Sequence, residues 1–162
     1  MTTLPILWRW LAIGKSPAGS VRYRTRTPKR MGASGSPAQE NHAAGCPRRF
    51  AVALKETDRL IGGVGLDGTT GDGSDEPALG YWLGQPYWGN GYAHEAAAAI
   101  IDYGFRTLGL ETIRAYTDPG NAASQKVLLH CGLKNVGEIE LLKPTHHGER
   151  RAPLFRILRP EL

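Results

Sequence analysis

A chain of 162 residues, 41% hydrophobic and 22% charged, has the size and composition of one globular domain with a single core. No apolar run approaches the ~20 residues of a membrane-spanning helix. The start, "MTTLPILWRWLAIGKS", is interrupted by Arg9 and lacks a basic leader and a small-residue cleavage site, so no signal peptide is expected.

Cys46 and Cys131 form no metal or redox motif and suit a reduced, cytoplasmic setting. The net charge of +5 is unevenly placed. Residues 1–49 carry nine Lys/Arg against Glu40 alone, a balance of +8, while residues 50–162 carry eleven against fourteen acids, a balance of −3. A basic arm can bind nucleic acid or an acidic surface. The remainder, however, is acidic and does not interleave aromatic with basic residues, which speaks against a nucleic-acid partner.

Residues 14–49 are rich in Gly, Pro, Ser, Thr and Arg without apolar periodicity, the signature of disorder or a linker. An atypical basic segment is therefore set at 1–48 and a folded domain at 49–162. From Phe50 the texture changes. Phe50, Val52 and Leu54 alternate, Glu56–Asp58 turn the chain, and Leu60–Leu66 return as a second strand. "ALGYWLGQ" is a third strand, with Leu79, Tyr81 and Leu83 on one face. After an aromatic and glycine-rich turn, a helix spans about Tyr92–Leu108, built on Ala96–Ala99 and closed by Gly109. "ETIRAYTD" is a strand, and "NAASQKVLLHCG" is a helix stopping at Gly132. "LKNVGEIELLK" and "APLFRILR" are a closing pair of strands. The order β-β-β-α-β-α-β-β defines an α/β layer of mixed strand directions.

The turn "YWGNGYA" carries the chemistry. The first four N–H groups of a helix have no internal partner, and the macrodipole adds about half a positive charge there. Gly89 and Gly91 let backbone come close to an anion, and Ala93 keeps the first helical turn narrow. Gly89–Ala93, including Asn90 and Tyr92, thus reads as a pyrophosphate cradle, or as a glycine-rich turn with no ligand. Two other phosphate motifs fail. "GKS" at Gly14–Ser16 has Arg9 where a Walker A loop needs glycine, and His94 stands where a Rossmann fingerprint needs its third glycine.

"LGYWLGQPYWGNGYAHEA" followed by "NAASQKVLLHCGL" resembles the GNAT family of acyl-CoA-dependent N-acetyltransferases, in its RimJ/RimL-like branch. Trp88, Gly91 and Ala93 take the places of the family's Q/R-x-x-G-x-G/A loop, and Asn121 and Ser124 match its N-x-x-S motif. The resemblance covers residues 49–162. It implies a GNAT fold whose middle strands splay apart, with acetyl-CoA as cosubstrate. The pyrophosphate would sit on Gly89–Ala93, and the pantetheine arm along the backbone of Tyr81, Trp82 and Leu83. Asn121 would hold the arm or the following helix. Ser124 would lie near the sulfur and donate a proton to the departing thiolate. The acceptor would be a primary amine, either a protein N-terminus such as a ribosomal protein's or a small molecule, attacked by direct transfer in a monomer or homodimer. An amine must be neutral to attack, so a base is expected. The family often has Glu where Ala78 stands, which leaves Glu76, His146 and His147 as candidates.

In that family the N-terminal part supplies a first strand and two helices that shape the acceptor pocket, and residues 1–40 resemble neither. Reading the third base of each codon with the first two of the next, permitted codons across Ala12–Ala38 spell DWEVARWLGSLPYPYTEADGREWIART, which is similar to the two missing helices. Residues from about 4 to 38 are thus expected to be an out-of-frame translation, leaving the first strand absent and a sheet edge bare. The alternative function is an acyl-CoA-binding domain with weak or no catalysis.

Overall fold

A computed structural model describes residues 9–13, 22–24, 49–67, 76–145 and 147–161. In chain order the elements are β1 (Arg9–Ile13), β2 (Arg22–Arg24), β3 (Arg49–Leu54), β4 (Leu60–Asp67), β5 (Ala78–Leu83), a 3-10 turn (Gln85–Tyr87), α1 (Tyr92–Arg106), β6 (Thr112–Tyr116), α2 (Ala122–His130), β7 (Lys134–Glu140) and β8 (Arg151–Leu158). From β3 onward this is the succession the hydrophobic patterning predicts. The strands form one mixed sheet in the order β2-β1-β3-β4-β5-β6-β8-β7.

The bare edge expected at β3 is not found. β1 runs parallel to it, with Arg9–Ile13 in register with Phe50–Leu54, and β2 pairs antiparallel with β1. A strand edge offers a row of unpaired N–H and C=O groups to any extended segment within reach. "RWLAI" contains Trp10 and Ile13, residue types that favour extended backbone. The rest of the disorder and out-of-frame reading lies outside the described residues.

Consecutive residues of β3 and β4 are buried, and alternation decides which of them meet the helices. Phe50 and Val52 on β3, Val64 and Leu66 on β4, Leu79 on β5, and Ile113 and Ala115 on β6 all join one core with α1, α2 and Phe155. The face of α1 that meets them is small: Ala96, Ala97, Ala99, Ile100, Ile101 and Gly104 are buried. At Gly104 an added Cβ would lie 2.9 Å from both Ile113 Cδ1 and Leu66 Cδ1, so the helix sits as close to the sheet as a hydrogen side chain allows. Replacing Ile100, which is 1% exposed, by Ala would cost about 2–5 kcal/mol.

Both helices end on left-handed glycines, as their sequences predict. Gly109 has φ 69° and lets the Leu110 N–H return to the Gly104 carbonyl at 3.0 Å. Gly132 has φ 86°, and the N–H groups of Leu133 and Gly132 close onto the carbonyls of Leu128 and Leu129 at 3.1 and 3.0 Å.

Candidate functional site

β4 and β5 pair at six positions, from Gly62–Leu83 to Asp67–Ala78. On its other side β5 meets β6 in parallel at one position, Ala78 with Arg114. The apex is tied by the Arg114 N–H donating to the Pro77 carbonyl at 2.9 Å. Beyond it the two strands diverge towards their C-terminal ends, which is the splay the family resemblance implies.

Backbone groups alternate between the two edges of a strand. Because the Pro77 carbonyl points to β6, those of Leu79, Tyr81 and Leu83 share that edge. Gly84, of the opposite parity, donates to Ile61 on β4 at 2.9 Å. Tyr81 and Leu83 therefore turn their backbone into the slot, and Trp82 does not. Trp82 lies opposite Gly63 and is 61% exposed, and its indole is so placed that a Cβ at Gly63 would lie 2.8 Å from Nε1. It covers the face of the sheet opposite Tyr81 and Leu83. The Leu83 carbonyl is already used: the Trp88 indole N–H donates to it at 2.8 Å. Trp88 thus braces the turn against the end of β5.

At the wide end of the slot the turn opens. Gly89 and Gly91 have φ 75° and 83°, and no heavy atom lies within 4 Å of a Cβ built at either. Asn90 stiffens the turn by donating from Nδ2 to the Trp88 carbonyl at 3.0 Å. Gly91 is the N-cap of α1 and makes no side-chain cap bond. Tyr92 and Ala93 begin the helix, so its first-turn N–H groups meet the open space that glycine leaves. A pyrophosphate fits these residues: the cradle is uncluttered, and a side chain at either glycine would fill it.

Across the slot, α2 begins differently. Asn121 Oδ1 accepts from the Ser124 N–H at 3.0 Å and caps the helix itself. The Ser124 hydroxyl lies 2.8 Å from the Tyr81 hydroxyl. Burial raises the Tyr81 phenol above its ordinary value, with the Ser124 hydrogen bond pulling the other way.

The candidate bases are scattered. Glu76 Oε2 lies 3.1 Å from Arg114 Nε and 3.2 Å from Arg156 Nη2. Arg114 is 5% exposed, so Glu76 neutralises a buried guanidinium at the apex. The same carboxylate oxygen meets both guanidinium groups, which ties Glu76 to the apex of the splay. His146 lies outside the described residues, and His147 is exposed on the β7–β8 loop.

Sequence reasoning missed the residue that ties this loop down. Asp118 Oδ2 accepts from the Thr145 hydroxyl at 2.9 Å, and Oδ1 accepts from the Gly120 N–H at 2.9 Å. The Gly120 bond, with Thr145 and the nearby His147, holds the Asp118 carboxyl below its ordinary value. The D-P-G-N turn at Asp118–Asn121 was the signal for it.

Comparison with known proteins agrees with this arrangement. The acetyltransferase (GNAT) domain model matches residues 5–134, so the chain belongs to the GNAT family. The match reaches into the basic segment that composition set apart. A protein described as uncharacterized N-acetyltransferase p20, from Bacillus licheniformis, is 40% identical over 93 residues, which is 57% of this chain and 52% of that protein. The chain thus spans about half the length of that relative. A GNAT acetyltransferase structure from Bacillus anthracis superposes with a TM-score of 0.59 at 27% identity, covering 68% of this chain and 66% of the other. The ribosomal-protein-S5-alanine acetyltransferase of Vibrio fischeri also gives 0.59 at 27% identity, covering 68% and 60%. The latter fits the RimJ/RimL-like branch.

Proposed function

We propose that the protein is an acetyl-CoA-dependent N-acetyltransferase that transfers the acetyl group directly to a primary amine. The observation that carries this is the single β5–β6 pairing ahead of an open glycine turn. A parallel pair that stops after one position leaves slot-facing backbone on β5 for an amide-bearing arm. The turn at its end offers N–H groups for a pyrophosphate.

Tyr81 and Leu83 then carry the arm, Gly89–Ala93 the pyrophosphate, and Asn121 fixes the start of α2. The bound thioester supplies the activated acetyl carbon. A slot-facing N–H of Leu79 or Tyr81 polarises its carbonyl. The amine nitrogen attacks that carbon, the C–N bond forms, and the C–S bond breaks with its electron pair passing to sulfur. Ser124 donates a hydrogen bond to the developing thiolate, and the proton lost by the amine passes to water. A thiol of pKa near 8.5 leaves readily, so alignment of amine and thioester contributes more than this donation.

The acceptor is a primary amine, with a protein N-terminus favoured by the S5-alanine relative. Such an α-amino group, of pKa about 8, is partly neutral at pH 7, so a water chain can take its proton without Glu76. No described helix is long and apolar enough to cross a membrane.

The test is turnover with acetyl-CoA and a panel of amines, including an N-terminal alanine peptide and spermidine, read by release of free thiol. Thiol release that depends on an amine supports the reading. Tight acetyl-CoA binding with no turnover on any amine contradicts it and leaves an acyl-CoA-binding domain.

A further inference from the structure

Tyr81 stands on β5 and Ser124 on α2, elements that follow opposite walls of the slot. Their side chains nevertheless meet, with Tyr81 Oη 2.8 Å from Ser124 Oγ and 3.2 Å from the Ser124 carbonyl. Ser124 is held twice, its N–H by Asn121 Oδ1 at 3.0 Å and its hydroxyl by Tyr81. The Ser124 carbonyl can only accept, so it takes the phenol's one proton; shared as a three-centre bond with the nearer hydroxyl, that proton makes Ser124 Oγ an acceptor as well. An ordinary phenol is already protonated at neutral pH, and burial raises that of Tyr81 further. With its lone pair engaged, Ser124 has its own proton free to point elsewhere, and accepting one hydrogen bond strengthens the next one it donates.

We propose that Tyr81 is a positioning residue for acetyl transfer, holding the Ser124 hydroxyl so that its proton faces the sulfur as the thioester breaks. The inference rests on the acetyl-transfer reading. In the step, the C–N bond forms and the C–S bond breaks, and the electron pair goes to sulfur. The proton lost by the amine passes to water. Ser124 stabilises the developing thiolate by a hydrogen bond, and Tyr81 keeps its proton throughout. Tyr81 also turns its N–H into the slot, so one residue would set both the path of the arm and the aim of the donor.

The experiment is a double-mutant cycle in the full chain with Tyr81→Phe, Ser124→Ala and the pair, measuring kcat and acetyl-CoA affinity by calorimetry. Phe keeps the ring as a slot wall and removes only the hydroxyl. Each single variant is expected to lower kcat about tenfold, and the pair no further, with acetyl-CoA affinity unchanged within about threefold. A Tyr81→Phe chain with wild-type kcat overturns the proposal. So does a pair whose losses multiply to about a hundredfold, because then Tyr81 does not act through Ser124. A wild-type chain that binds acetyl-CoA but acetylates no amine refutes the acetyl-transfer reading and this proposal with it. An active wild type beside an unaffected Tyr81→Phe refutes this proposal alone.

Discussion

The two helices that flank the slot start at the same end of the sheet, each after a strand of the splayed pair, yet they start in opposite ways. α2 is closed by its own sequence: Asn121 accepts from the Ser124 N–H, and the Asp118–Gly120 turn is bonded internally. α1 is left open: its N-cap is Gly91, in a left-handed conformation, with no side-chain cap and no atom near a would-be Cβ. A helix of 15 residues with buried alanines on its inner face can afford an uncapped start, because packing holds it. The helix of nine residues, with Leu128 its one buried residue, needs its cap. The difference separates a terminus closed by its own side chain from one left open.

Gly91→Trp should break the contrast most severely. It puts bulk in the cradle and a β-carbon at φ 83°, and acetyl-CoA affinity should fall at least about a hundredfold, or about 2.8 kcal/mol. Gly91→Asp should close α1 as Asn121 closes α2. It adds a negative charge where a pyrophosphate would sit, and calorimetry should show affinity down about tenfold, with part of the loss removed by salt. Asn121→Ala should do the reverse at α2. Thermal or denaturant melting should show a loss of about 1 kcal/mol, restored by Asn121→Asp, while acetyl-CoA affinity stays within about threefold. At the apex, Glu76→Gln should lower stability by about 1 kcal/mol, since its carboxylate is partly exposed and solvent weakens the pairs. The pH profile of kcat/KM should keep its shape, with Glu76 serving as counter-ion to Arg114 and Arg156; a lost acidic limb would make it the base.

The smallest effect concerns the approach to α2. The folded Asp118 carboxyl titrates below its ordinary value of 3.8, so its bond to Gly120 contributes stability above that pH and loses it as the pH falls through the folded value. The Gly120 amide shift should be constant from neutral pH down to about 4 and move only below it.

Much of this was legible in the sequence because it is local. The alternation of Phe50, Val52 and Leu54, the alanines of α1, and the glycines at 109 and 132 are all decided by neighbours within a few residues. What was not legible is set by distant partners. Nothing near Glu76 in the chain announces that Arg114 and Arg156 will close on it. Tyr81 and Ser124 are far apart in sequence, and Asp118 and Thr145 come from separate loops. That Trp82 turns its backbone to β4 while Tyr81 and Leu83 turn theirs away was not legible in a three-residue stretch read as one surface, because the edge that a strand's backbone faces changes at every residue. The pairing of β1 with β3 was also unexpected, because composition describes a segment's average and not the five residues that find an open edge.

The central claim is that the start of α1 binds the cofactor's pyrophosphate and the start of α2 does not. It is tested most directly by titrating acetyl-CoA into isotope-labelled protein and following backbone amides by NMR. The account predicts large shifts at Gly89, Asn90, Gly91, Tyr92 and Ala93, with the N–H of Ser124 still bonded to Asn121. Shifts confined to Ala122–Ser124, with the Gly89–Ala93 amides unmoved at saturation, would contradict it.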